Sequence, residues 1–94
     1  MHRYMIERDI PGIGSSSNAD LAAAATGSNA VLEQMNAEDK NIRWEQSYVA
    51  GDKTFCVYQA ADISLIKEHS ERSGFPATII TEISNQIDPS TADD

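Results

Sequence analysis

Seven side chains stand, by type and place in the pattern, as candidates to hold a ligand or move a proton: Glu7, Trp44, Tyr48, Cys56, Tyr58, His69 and Glu82. His69 follows Leu65 by four residues and Ile66 by three, which sets it at the border of a buried helical stripe. A histidine there is either packed and hydrogen-bonded, or a metal ligand or proton carrier. Glu7 falls in the middle of an alternating run. A carboxylate on a covered strand face costs several kcal/mol unless it is paired or protonated, so Glu7 is either an ion-pair partner of Arg3, Arg43 or Arg72, or a general base of raised pKa. Cys56 has no basic neighbour in sequence to make it a thiolate, and reads first as a small hydrophobe. Trp44, Tyr48 and Tyr58 suit either a packed interface or a pocket lined with indole N–H and hydroxyl groups. Glu82 reads as an edge-strand guard or as a second carboxylate facing Glu7.

No familiar catalytic pattern accompanies them. IPGIGS lacks the spacing of a phosphate loop, and the sequence contains no CxxC, HExxH or GxSxG. A hydrolase or nucleotide-using enzyme of known type is therefore not expected. If a transition metal binds, His69 is the expected nitrogen donor, with Glu7 or water completing the set. Nickel, copper and zinc all suit imidazole, and one such histidine per chain makes the site weak or shared across a dimer.

The elements that must position these groups follow from periodicity. His2 to Ile10 alternates as a strand, and Pro11 to Ser17 forms a Gly- and Ser-rich loop. Ser17 and Asp20 have capping-box spacing. Leu21, Ala24, Ala25, Ser28, Leu32 and Met35 form the stripe of a helix, whose alanines should let it sit very close to a sheet. Ile42 to Ala50 and Thr54 to Ala60 make a hairpin across Gly51-Asp52-Lys53. Asp62 caps a second helix that Gly74 and Pro76 end, and the β-branched Thr78 to Ile83 forms a last strand.

The order β-α-β-β-α-β, with right-handed crossovers, predicts an α+β, ferredoxin-like fold: a four-stranded antiparallel sheet of order 4-1-3-2, with both helices on one face. Residues 1–84 make the single domain, and 85–94 an acidic tail without regular structure. Strand alternation predicts Ile6, Val49, Phe55, Val57, Ile79 and Ile83 toward the helices. Met5, Glu7, Trp44, Gln46, Tyr48, Cys56, Tyr58, Ile80 and Glu82 are predicted on the open face. So apolar a face is expected to be covered by a second subunit, a ligand or both. Glu7 should then lie near Tyr58 and Glu82, and one of the two carboxylates should titrate high unless an arginine or cation intervenes.

Composition narrows the partners. The 94 residues carry a net charge of −8, which argues against nucleic acid, whose phosphates need a basic face. The lone Cys56 excludes an intrachain disulfide framework, and the charged first ten residues do not read as a signal or transit peptide. No apolar run reaches the ~18 residues of a membrane span, so the expected setting is cytoplasmic. A core this small would gain from association.

The segments ERDIPGIG, Trp44 with SYV, DKTFCVY, EHSERSGFPATIITEI and IDPSTA resemble a family of small bacterial proteins described as nickel-binding-protein-like. The resemblance implies a ferredoxin-like fold, a cytoplasmic dimer whose sheets face each other as an α+β barrel, and nickel held by several histidines. Of those, only His69 has a counterpart here. Three functions remain open at this stage. One is a dimeric binding protein for a transition metal or small molecule between the sheets. A second is a cofactor-independent isomerase or monooxygenase with Glu7 as base and Tyr48 or Tyr58 stabilising an enolate-like oxygen. The third is a dimer that merely packs and acts through another protein.

Overall fold

A computed structural model describes residues 1–93. Strand β1 (His2–Asp9) leads through a short 3₁₀ turn at Ile13–Ser15 into helix α1 (Asn18–Ala37). The Ser17 hydroxyl accepts the Asp20 backbone N–H at 3.1 Å, the expected cap. Asn36 then ties the end of α1 to the next strand: its amide nitrogen donates to the carbonyls of Leu32 and Ile42, and its oxygen accepts from the Ile42 N–H. Strands β2 (Ile42–Ala50) and β3 (Lys53–Ala60) form the hairpin, with Gly51 at φ 60°. Asp62 caps helix α2 (Ile63–Ser73) by accepting the Ser64 N–H at 2.9 Å, and Gly74 closes it at φ 81°. The short β4 (Ile79–Glu82) completes the sheet, and a 3₁₀ segment at Pro89–Asp93 lies in the stretch expected to lack regular structure.

The sheet is antiparallel throughout, in the order β2-β3-β1-β4, which is the predicted ferredoxin-like order read from the other edge. Tyr4, Ile6, Ile42, Cys56, Tyr58 and Ala60 form one buried cluster with Leu32 and Met35 of α1 and Ile66 of α2, so both helices cover a single face. Outside that core, Arg72 clasps Glu38 through both carboxylate oxygens and also reaches Glu68, joining the end of α1 to α2. The pairing holds the Glu38 carboxyl down at about 2. The turn before α1 docks on the hairpin: Gly14 donates to the Gly51 carbonyl at 2.8 Å, and a Cβ at Gly14 would stand 2.5 Å from that oxygen.

The register corrects the predicted faces. Tyr4 pairs with Tyr58 and Glu82, Ile6 with Cys56 and Ile80, and Trp44 with Tyr58. Directly opposed residues share a face. Trp44, Cys56, Tyr58 and Ile80 therefore lie under the helices, with Glu82 at the edge of that side. Phe55, Val57, Ile79 and Ile83 lie on the open face instead. Two physical causes combine. In TFCVYQA both parities are apolar, so alternation alone cannot phase β3, and a one-residue change of phase exchanges every side chain. In β2 the register shifts between Trp44 and Gln46, so Glu45 is an extra residue. Trp44 thus turns inward, while Gln46 and Tyr48 stay on the open face where they were expected, with Met5 and Glu7.

Candidate functional site

The N-terminal half of α1 does not lie tightly on the sheet. Its inward residues Leu21, Ala24, Ala25 and Ser28 are small enough to leave a cavity of about 220 Å³ above β2 and β3. Trp44, Val49, Thr54 and Tyr58 form its floor, Ile13 bounds it from the turn before α1, and Phe75 from beyond α2. The alanines, expected to let helix and sheet approach closely, instead leave a space between them unfilled. Leu32 and Met35, further along α1, pack fully.

Arg8 is the one charged residue in the cavity wall. It is only 3% exposed. Alternation along β1 turns it inward behind Tyr4 and Ile6, and its Nη1 donates to Ser70 Oγ at 3.0 Å and to the carbonyls of Phe75 at 3.2 Å and Pro76 at 2.9 Å. Its Cζ lies 5.8 Å from the centre of the Tyr58 ring, a cation–π contact. Its Nη2 donates to nothing among the described residues, and no described carboxylate forms an ion pair with it. Every contact to this guanidinium is to a neutral group.

Behind Arg8 runs a short polar chain. Ser28 Oγ shares a hydrogen bond of 3.1 Å with His69 Nε2 and stands 3.5 Å from the Tyr58 hydroxyl. Trp44 stacks on Tyr58 with ring centres 6.3 Å apart, and the His69 ring is 5.2 Å from Tyr58 on the other side. Burial raises the Tyr58 pKa. Burial first, and then the charge of Arg8, push His69 down to about 4. His69 is thus a neutral imidazole, 1% exposed, with Nδ1 making no hydrogen bond among the described residues.

The structure brings together Trp44, Tyr58 and, through Ser28, His69. It separates the others. Glu7 lies on the open face, paired with Lys53 at 2.8 Å, and Lys53 also reaches Asp9 at 3.4 Å. Tyr48 shares that face, its hydroxyl accepting from Gln46 at 3.2 Å. Cys56 is buried beside Thr54. Glu82 sits at the sheet edge, 3.4 Å from His2 Nδ1. The expected meeting of Glu7 with Tyr58 and Glu82 does not occur, because the sheet lies between them. The expected donor pair His69 and Glu7 is divided in the same way. Among the described residues no three His, Cys, Asp or Glu side chains converge on a metal position. An imidazole occupied by Ser28 and facing a guanidinium is also a poor site for a dication, so the cavity does not fit nickel.

Two important residues were not read as site residues: Arg8, and Ser28, which was placed on the inward stripe of α1 but given no role in a site. The signal for Arg8 was present: it stands two residues after Ile6 on the same strand face. A groove of about 470 Å³ on the open face, between Met5, Val57 and Ile83, has no comparable orphaned group, since its Arg3 is paired with Glu45 at 2.7 Å.

The buried histidine gives a pH test. The unfolded chain binds a proton at His69 near pH 6.5, whereas the folded chain does so only near 4. Between these values the unfolded state holds more protons, so stability falls as pH drops, by about 3 kcal/mol if the whole shift is realised. Denaturant titrations from pH 7 to 4 should show this loss, and His69→Gln should flatten it. An identical pH profile in the variant would contradict a buried neutral imidazole. Glu38, whose carboxyl lies at 4.5 in the unfolded chain and about 2 in the folded one, loses its stabilisation below about pH 5 and so adds to the loss only at the acid end of this range, in wild type and variant alike.

No helix among the described residues is long and apolar enough to cross a membrane. The chain's arrangement is that of the crystal structure of SCO4226 from Streptomyces coelicolor A3(2), with a TM-score of 0.72 and 23% identity, over 90% of this chain and 99% of that one. No curated protein matches the chain. The model of the family described as nickel responsive protein SCO4226-like matches residues 4–83, nearly the whole folded unit. By that match the chain belongs to the SCO4226-like family of nickel responsive proteins.

Proposed function

We propose that this chain is a small-ligand-binding protein whose site is the cavity between α1 and the sheet, and that two copies pair through their open sheet faces. The observation that carries the first part is the coincidence of an apolar cavity with a buried, incompletely bonded guanidinium. A concave, mostly apolar space with a few convergent polar groups is the usual form of a small-molecule site. The ligand is thereby moved from between the two sheets, where the expected faces put it, to a half-open cavity under α1 in each chain. The family's description is of nickel responsiveness, which this cavity does not account for, and His69 is not a nickel ligand in this reading. The acid–base reading is weaker: Glu7 is ion-paired with Lys53, Tyr58 lies on the opposite face, and Tyr48, which shares the face of Glu7, is largely exposed.

Pairing of two copies rests on a different observation. The open face exposes Tyr48 at 59% and Ile79 at 49%, and carries Met5, Phe55 and Ile83 beside them. An apolar surface on so small a core is stabilised by a second copy. Light scattering at micromolar concentration should give the mass of two chains, and Ile79→Asp should give one. A monomeric wild type would contradict the pairing.

The cavity itself is tested by filling it. Ala25→Leu should raise the unfolding free energy by about 0.5–2 kcal/mol, as cavity-filling changes commonly do. It should also abolish saturable changes in Trp44 fluorescence produced by one-ring compounds, neutral or charged. A wild type that responds to none of them, or a variant that responds as the wild type does, would contradict the site.

A further inference from the structure

The sign of the ligand's charge is written in the cavity wall. Arg8 is its one charged residue, and the rest of the lining is apolar or neutral and polar. A cation buried without a counter-ion costs several kcal/mol, and three neutral acceptors on Nη1 offset only part of that. Nη2 has donors to give and no acceptor to take them. The groups nearest in space sharpen the preference. His69 is neutral, and the Tyr58 hydroxyl, its pKa raised by burial, keeps its proton and can donate.

Resting on the cavity reading above, we propose that the ligand is a small carboxylic acid, bound as its anion: the carboxylate on the Arg8 guanidinium and a single-ring or short aliphatic body against Leu21, Ala25, Trp44 and Phe75. Size agrees with chemistry. An apolar cavity of roughly 150 Å³ holds a benzene ring, so about 220 Å³ admits a ring with a carboxylate attached. The stacked Trp44 and Tyr58 rings offer a flat wall to such a body. The pairing is selective in two ways. A neutral analogue leaves the guanidinium uncompensated, and an amine of the same shape places two cations together in a low dielectric. A phosphate dianion would bring a second charge that no other lining residue meets.

The chain's net charge of −8 does not oppose this, because carboxylates on the outer surface act through water and salt. The ion pair forms inside, where the charge beside the ligand is that of Arg8.

Trp44, the chain's one tryptophan, lies in the wall and reports binding. Titrations would compare phenylacetate with benzyl alcohol, benzylamine and sodium phosphate, at constant ionic strength and near pH 7. Phenylacetate should bind at least about tenfold tighter than benzyl alcohol, the gain expected of one charge-assisted pair, and benzylamine should not bind. Arg8→Gln should remove the preference for the acid, bringing the ratio of phenylacetate to benzyl alcohol affinity to about one. Should that variant not fold, the Arg8 guanidinium ¹⁵N resonances of the wild type should shift on adding phenylacetate. Equal binding of acid and alcohol overturns the anionic class and leaves the cavity reading standing. Phosphate binding as tight as phenylacetate overturns the carboxylic acid in favour of an inorganic anion. Stationary Arg8 resonances in the presence of bound phenylacetate overturn the role of Arg8. No binding by any probe overturns both the cavity reading and its ligand.

Discussion

A guanidinium inside the protein with only neutral partners is the constraint around which this small fold is arranged. Arg8 leaves β1 toward the helices and takes its acceptors from the end of α2 and from the two carbonyls that follow it. Those carbonyls belong to the Phe75-Pro76 segment that leads into β4, so one side chain ties α2 and the approach to β4 to β1. Its face lies over Tyr58 on β3. β1, β3, α2 and the approach to β4 are thus joined at a single buried charge. Such a group is costly wherever it is not fully met, and Arg8, with one nitrogen unmet among the described residues, is part of the cavity wall.

The cavity has its origin in α1. A helix with leucines at its inward positions would have closed on the sheet, as it does at Leu32 and Met35. With Ala24, Ala25 and Ser28 in those places, the first turns roof a space instead, bounded by the turn that Gly14 pins to the hairpin. Ser28 serves twice, as a small roof residue and as the hydrogen-bond partner of His69. The aromatic rings, the arginine and the neutral histidine therefore form one layered wall. The open face is of a different kind: its charges are paired at its margins by Glu7 with Lys53 and Arg3 with Glu45, around apolar side chains suited to another protein surface.

The order of elements and the sheet topology were readable because local chemistry marks each boundary. Ser17 and Asp62 cap, Gly51 turns, Gly74 and Pro76 stop a helix, and right-handed crossovers leave few ways to arrange what remains. The faces were not readable to the same degree. Cys56 and Tyr58 compete with Phe55 and Val57 for the interior on nearly equal hydrophobic terms, and only pairing with β1 decides between them. Strict alternation also placed Trp44 beside Tyr48, which the extra residue Glu45 prevents. Glu7 drew notice as a carboxylate in a strand, and its neighbour Arg8 did not, because arginine is read by habit as a surface residue. Yet the alternation that sends Ile6 inward sends Arg8 with it, and a strand arginine in that phase is the sign a sequence can give of such a site.

The most direct test of the account is the location of a bound carboxylate. Amide chemical shifts of the ¹⁵N-labelled protein, followed through a phenylacetate titration, distinguish the two sides of the sheet. The account predicts saturable shifts concentrated at Arg8, Leu21, Ala25, Ser28, Trp44 and Phe75, with Met5, Val57, Ile79 and Ile83 undisturbed. Shifts confined to the open face, or none at all, would contradict it.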